Sequence, residues 1–386
     1  MTPAQTTDGR EVRESMTRQS TRIHYLGPQG SFTHQAAIES AAEASRRLHM
    51  DVADFEFVAC DTVPQILHAV ELGQGWGTIA WENNVEGFVV PNLDLMMDVA
   101  DAAGFLRVGV NVRFDAFVTE RTYRHACEQY ASEIAVDDAQ IPARDNANAY
   151  GSAATPPTID ELAIRDCTAV CAHSHGLAQC RRFAREHGLN PVPAASNAAA
   201  CRDLQDFQIA LGPSICADIY GLHRVAANVG DFEGARTEFL TIAPRSQVVE
   251  RLRIPRSEPQ TEFESVIAFI PLVTGPGVLA NLLDVLRDAQ LNMVSLISRP
   301  VKGRDGTYSF LATLDAAPWD ERFVNALVEI CEHGDWVRTL AVYPRDERNY
   351  PTVSEWMLPA GGVRFEGEPH MANWRESADV RKELLW

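Results

Sequence analysis

Between residues 23 and 99, short apolar runs alternate with helical stretches, and this alternation constrains the fold more than any other feature. Ile23 to Leu26, Phe55 to Val58 and Gly77 to Ala80 read as strands, because they are brief, apolar and bounded by turn residues. Between them, His34 to Arg47 is Ala-rich, and Thr62 caps a helical run from Val63 to Leu72. Another helix follows around Leu93 to Val99. Strands separated by helices favour an α/β layer with a parallel sheet. Ligands in such sheets gather at the C-terminal ends of the strands. The third strand ends in the polar run Trp81-Glu82-Asn83-Asn84-Val85-Glu86-Gly87.

Phe105 to Val118 alternates like strand, and the pattern then dissolves from about 120 to 160 into a polar loop or insertion, part of it expected to be mobile. A second α/β unit begins at the strand Thr168 to Ala172. It continues through the turn His173-Ser174-His175-Gly176, a helix over 177–187, and Ser196-Asn197 capping a helix over 198–204. A strand at 208–211 and a helix over 215–220 closed by Gly221 complete it. Residues 245–262, with Pro255 and Pro259, have a linker's composition. From 263 to 345 the elements run βαββαβ, a ferredoxin-like order. The tail 346–386 is unassigned.

The formal net charge of −19 disfavours phosphate backbones, and no basic patch offsets it, so nucleic-acid binding is not expected. No apolar run approaches the length of a membrane span. Residues 1–22 are polar with scattered arginines and no apolar segment, which reads as a disordered leader rather than a secretory signal, and the expected location is cytoplasmic. Eight cysteines without regular spacing read as reduced thiols. Cys167, Cys171 and Cys180, with His173 and His175 between them, lack the close pairs of a zinc site, so no metal is expected.

Two stretches carry candidate chemistry. Gly27-Pro28-Gln29-Gly30-Ser31-Phe32-Thr33 joins a strand to a helix start, where backbone N–H groups and the helix dipole favour an anion. It is not a dinucleotide fingerprint, because Gly-x-Gly-x-x-Gly is absent. Arg236-Thr237-Glu238 stands at the entry of a buried strand ending near Ile242. A hydroxyl between an Arg and a Glu suits binding and protonation of a small anion, although a solvated strand entry looks the same on spacing alone.

Over about residues 23–345 the chain resembles the prephenate dehydratase family with a C-terminal ACT regulatory domain. The marks are Gly-Pro-Gln-Gly-Ser-Phe at 27–32, Glu82-Asn83 with Gly87, Ala178-Gln179-Cys180, Tyr220-Gly221-Leu222, Ala235-Arg236-Thr237 with Phe239, and Ser298-Arg299-Pro300. The resemblance implies a two-lobed, periplasmic-binding-protein-like catalytic unit, with lobe 1 formed by 23–104 and 213–244 and lobe 2 by 105–212. It implies conversion of prephenate to phenylpyruvate without a cofactor. The catalytic roles fall on Thr237, Asn83 and Gln179, and Gly30, Ser31, Asn84, Ser196, Asn197, Arg236 and Glu238 become substrate-binding candidates. In the regulatory unit, Gly277, Val278, Leu279, Ser298, Arg299 and Pro300 become candidates for binding an effector such as phenylalanine, in a homodimer or homotetramer.

Two departures stand out. The family's Thr-Arg-Phe reads Thr237-Glu238-Phe239, and its Glu-Ser-Arg-Pro reads Ile297-Ser298-Arg299-Pro300. A carboxylate facing a dianionic substrate would oppose binding, so Glu238 keeps open a non-aromatising prephenate decarboxylase or a non-catalytic sensor. Strand alternation offers an escape, since 238 then faces away from 237. Ile297 predicts weakened phenylalanine binding.

Overall fold

The computed structural model describes residues 20–139, 157–345, 352–364 and 377–385. Residues 1–19 of the expected leader and 140–156 of the expected polar loop lie outside these residues, and the last two leader positions, Thr21 and Arg22, instead begin the first strand.

The first lobe opens with β1 (Thr21–Leu26), α1 (Phe32–Leu48), β2 (Phe55–Cys60), α2 (Val63–Glu71) and β3 (Trp76–Asn83). A short β4 (Gly87–Phe88), α3 (Val90–Asp98) and β5 (Ala103–Asn111) complete its outward run. Local sequence accounts for these elements. Ser31 and Thr62 accept the N–H of His34 and Gln65 and so cap α1 and α2. The buried stripe Ala36, Ala37, Ala41 and Ala44 lets α1 lie close on the sheet.

The second lobe holds β6 (Asp115–Val118), α4 (Glu120–Ala139), α5 (Ile159–Arg165), β7 (Ala169–Ala172), α6 (Ser174–Gln179) and α7 (Arg181–Glu186). It continues through β8 (Asn190–Pro193), α8 (Asn197–Arg202), β9 (Gln208–Gly212), α9 (Cys216–Tyr220) and β10 (His223–Ala226). Its sheet has the order β10-β6-β9-β7-β8. The chain returns to the first lobe through β11 (Arg236–Ala243), α10 (Arg245–Arg251) and α11 (Arg253–Ser257). The C-terminal unit is β12 (Phe263–Ile270), α12 (Val278–Asp288), β13 (Met293–Pro300), β14 (Tyr308–Leu314), α13 (Glu321–Glu332) and β15 (Trp336–Pro344). Beyond Arg345 the chain forms a separate compact unit, which contains α14 (Ala378–Leu384).

Four expectations are corrected. The alternating stretch 105–118 is two strands in different sheets, and the chain crosses between lobes at 112–114 rather than at 104. The return begins after β10, which pairs with β6, and not at 213. The start of the expected polar loop is the helix α4, where Glu120 and Arg124 pair one turn apart, as on a solvated helix face. The expected linker 245–262 contains α10 and α11.

The C-terminal unit has the sheet order β13-β14-β12-β15 and extends the sheet of the first lobe. The junction is a parallel pairing of β15 with β5 at Ala341 and Gly104. A Cβ at Gly104 would lie 2.7 Å from that of Ala341, so the lack of a side chain permits the approach. One apolar cluster spans the junction: Ile66, Trp81, Leu93 and Met96 of the first lobe pack with Val266, Ala268, Leu311 and Leu340. At ~25 cal/mol per Å² of apolar surface, such a shared core ties the unit to the lobe more firmly than a tether would.

Candidate active site

β11 lies between β3 and β5, antiparallel to both, with Thr237 opposite Asn83 on one side and Val110 on the other. The side chains of the first pair meet: Asn83 Nδ2 donates to Thr237 Oγ1 at 2.9 Å. The orientation of the amide is fixed, because Asn83 Oδ1 accepts the N–H of Val85 at 2.8 Å and of Glu86 at 3.0 Å. With its oxygen engaged as an acceptor, the Thr237 hydroxyl can direct its proton elsewhere, and no acceptor for it stands among the described residues.

Asn84 acts on the backbone. Its Nδ2 donates to Gly234 O at 2.8 Å and its Oδ1 accepts from Arg236 N at 2.8 Å, which fastens the loop before β11. Both ends of this amide are therefore engaged, and the expectation that Asn84 contacts substrate gives way to a role in shaping the entry to Thr237.

Arg236 and Glu238 are corrected similarly. They share the sheet face opposite Thr237, as alternation requires, and Arg236 Nε donates to Glu238 Oε1 at 2.9 Å. The Arg236 guanidinium lies over Gly109, where any Cβ would overlap it. Neither charge faces the Thr237 hydroxyl.

Glu238 also accepts from Arg107 Nε at 3.1 Å. The same guanidinium donates to Glu264 at 2.8 Å, to Tyr343 Oη at 3.2 Å and to Glu82 at 3.4 Å. Tyr343 Oη donates in turn to Glu264 Oε1 at 2.7 Å. Burial opposes the charge on Arg107, but Tyr343, Glu238 and Glu264 outweigh it and the pKa rises. Burial raises the pKa of Tyr343 as well. Sequence reading missed this cluster, because its members are scattered over five strands and carry no local motif.

The anion-binding candidates divide between backbone and side chain. Gly30 has φ +85°, a conformation that favours glycine, and Tyr220 and Cys216 crowd the place of its Cβ. The Ser31 hydroxyl donates to Leu26 O at 3.0 Å and accepts from His34 N at 3.1 Å. Ser196 accepts from Ala199 N at 2.9 Å, and Asn197 Oδ1 accepts from His173 N at 2.9 Å. These hydroxyl and carbonyl groups hold helix starts and loops in place. The N–H groups of Gly30 and Ser31 are engaged as well, donating to His34 Nδ1 and to Pro28 O at 3.2 Å each, so an anion there would meet the N–H groups of the helix starts that follow.

Gln179 ends α6, and its carbonyl accepts from Asp231 N on the return crossing. One turn earlier, His175 Nδ1 lies 3.8 Å from Glu86 Oε2, across the cleft between the lobes. Residues 175 and 179 stand about one turn apart on this six-residue helix. The cysteines once weighed as metal ligands are buried core thiols. Cys167 and Cys180 belong to one apolar cluster and Cys171 to another, and burial pushes Cys167 and Cys180 up to about 12.

In the C-terminal unit, Gly277 caps α12 at φ +90°, followed by Val278 and Leu279, and Ser298 is exposed on the edge strand β13, which Pro300 ends. Arg299 is already engaged, donating to both carboxylate oxygens of Asp94 on α3 at 2.9 and 2.7 Å. Ile297 packs against the apolar cluster shared with the first lobe. Among the described residues no helix is long and apolar enough to cross a membrane.

The sequence model of the prephenate dehydratase family matches residues 23–151 and 153–247. A prephenate dehydratase from Amycolatopsis methanolica is 29% identical over 359 residues, which is 92% of this chain and 96% of that protein. A prephenate dehydratase from Arthrobacter aurescens, solved in complex with L-Phe, superposes with a TM-score of 0.59 at 22% identity, covering 87% of this chain and 94% of that one. A structure described as a quorum-quenching acylase, GqqA, superposes with a TM-score of 0.60 at 20% identity, covering 84% and 98%. At these identities the structural likeness speaks to the fold alone.

Proposed function

The chain belongs to the prephenate dehydratase family, and we propose that it converts prephenate to phenylpyruvate, carbon dioxide and water in phenylalanine biosynthesis, with Thr237 as the proton-directing group. The bond to the ring carboxylate breaks, and its electron pair enters the ring. The bond to the ring hydroxyl breaks, and the departing oxygen takes a proton to leave as water. Aromatisation drives both cleavages, so the enzyme's main task is to supply that proton and to hold two carboxylates.

The observation that carries this reading is the 2.9 Å bond from Asn83 Nδ2 to Thr237 Oγ1. A neutral hydroxyl is a weak acid. As an oriented donor whose oxygen is already held by an amide, it stabilises the leaving oxygen as charge develops there. Gln179 is the second amide in this reading. The start of α1 just after the Gly30–Ser31 turn and the Ser196–Asn197 helix start are the proposed carboxylate sites, through first-turn backbone N–H groups that have no helical partner.

The decarboxylase and sensor alternatives drew their weight from a carboxylate at 238 facing the substrate. Glu238 is bonded to Arg236 and Arg107 instead, which removes that argument. Incubating the protein with prephenate and identifying the product tests the reading. Phenylpyruvate supports it, and a non-aromatic keto acid or unchanged prephenate refutes it.

For the C-terminal unit we propose an amino-acid effector site around Gly277, Val278, Leu279 and Ser298, in an assembly of two or four copies working in the cytoplasm. With Ile297 in place, phenylalanine should bind weakly; tight binding in calorimetry, or a monomer in light scattering, would contradict this part.

A further inference from the structure

We infer that Arg107 is a positioning residue for Thr237, and that Glu264 and Tyr343 of the C-terminal unit complete its clamp. The inference rests on the dehydratase reading of the Asn83–Thr237 pair. Arg107 stands on β5, beside the strand that carries Thr237, and reaches carboxylates on three other strands. Two of these, Glu238 and Glu82, directly adjoin Thr237 and Asn83 in the chain. One cation thus holds the neighbours of both members of the hydrogen-bonded pair.

Such a clamp is needed at this place. The pairing of β11 with β3 slips between Glu238 and Phe239, where Glu238 faces Glu82 but Phe239 faces Ala80. At a bulge the backbone ladder is locally interrupted and the strand bends, so side-chain contacts take a larger share in placing its neighbours. A side-chain anchor at 238 fixes the backbone that presents 237 on the opposite face.

The third carboxylate and the phenol come from β12 and β15. Glu264 and Tyr343 are 0% and 1% exposed, and Glu264 Oε2 has no partner among the described residues. Removing one member of a buried ionic cluster leaves its partners uncompensated, so the cluster resists small displacements. The register of the catalytic strand therefore depends on the C-terminal unit through named contacts, and not only through apolar packing.

Steady-state kinetics of four variants test this, each measured where circular dichroism shows the protein folded: Arg107→Met, Arg107→Lys, Tyr343→Phe and, as a control in the core of the C-terminal unit, Val285→Ala. Loss of a group that orients a catalytic residue should lower kcat of Arg107→Met about hundredfold with KM within about threefold. Arg107→Lys should recover about tenfold of that loss, and Tyr343→Phe should lose about tenfold. Val285→Ala should melt earlier yet keep the wild-type kcat. A kcat within about twofold of wild type in both Arg107→Met and Tyr343→Phe overturns the inference. So does a loss confined to KM, or a control that loses kcat as its stability falls. If Arg107→Met does not fold, Tyr343→Phe decides. If the wild-type protein does not turn over prephenate, the dehydratase reading fails separately. Hydrogen exchange at 237–240 then decides the clamp: faster exchange in Tyr343→Phe supports it and unchanged exchange overturns it.

Discussion

Asn83 and Thr237 are 154 residues apart in the chain, and their side chains meet at 2.9 Å across adjacent antiparallel strands. The direction of that bond, from amide to hydroxyl oxygen, determines what the hydroxyl can do next. Thr237→Val should abolish turnover while preserving fold and substrate binding. Asn83→Asp should be nearly as damaging, because a carboxylate would accept the hydroxyl proton instead of leaving it for substrate. A kcat loss on the order of a hundredfold, ~3 kcal/mol, is expected for Asn83→Asp. Product assays together with prephenate binding by calorimetry check both; near-normal kcat in either variant would remove the pair from the mechanism.

Gly109→Ala tests the packing beneath β11. The new methyl would occupy the space of the Arg236 guanidinium, which must swing away from Glu238. Overpacking of this kind typically costs ~1–3 kcal/mol. A lower midpoint in urea unfolding is expected, and an unchanged midpoint would mean that Arg236 moves freely.

Two arginines tie the C-terminal unit to α3, and they should differ in weight. Arg338 donates to the carbonyls of Met97, Val99 and Ala100 at the end of α3, at 3.3, 2.6 and 2.7 Å. Arg299 pairs with Asp94 with both side chains about 30% exposed (29% and 32%). Losing Arg338 leaves helix-end carbonyls without their donor, about 1–3 kcal/mol, whereas a partly exposed ion pair contributes ~1 kcal/mol or less and weakens in salt. Arg338→Ala should therefore lower the melting temperature more than Arg299→Ala, and only the Arg299 effect should shrink at high ionic strength. The reverse order in calorimetric melts would contradict this.

His24 and His34 predict the acid side of the stability profile. Burial lowers both pKa values from the ordinary 6.5. Above 6.5 the folded and unfolded chains both hold these rings neutral. Below it the unfolded chain takes up protons that the folded chain refuses, so stability falls as pH drops through the window between the unfolded and the lowered folded values. Urea midpoints should decline from pH 7 to pH 5. The decline should flatten in His24→Gln, whose side chain stays neutral; an equally steep profile would exclude His24 as a source.

Much of this was legible along the chain. Ser31 and Thr62 announced their helices, because a cap is a contact over three residues. The order of elements from 263 to 345 followed from periodicity, which reports the face a residue takes. At 120–139 the reading failed, because the stripe that α4 lays on the core, Tyr123, Ala126 and Tyr130, is short and set among charged residues, so its periodicity is weak. At 105–118 it failed because alternation persists across 112–114, where the chain passes from one sheet to another. The site divided in the same way. Thr237, Asn83 and Gln179 came from motif resemblance, whereas Asn84, Ser31 and Ser196 were read as ligand contacts and instead hold the backbone.

Alternation along β11 dictated that Thr237 and Glu238 take opposite faces, and the motif resemblance pointed to Thr237 as the one proposed to direct a proton. What no local pattern encodes is which residues wait on the other face. Arg107, Glu264 and Tyr343 lie 131, 26 and 105 residues from Glu238, and they meet only because β15 joins β5 at Gly104. Side-chain periodicity is set within a few residues of backbone geometry. The choice of partner is set by strand order and register, which exist only once distant segments have packed. The sequence by itself therefore determined where Glu238 could not point, and the tertiary structure decided what it holds.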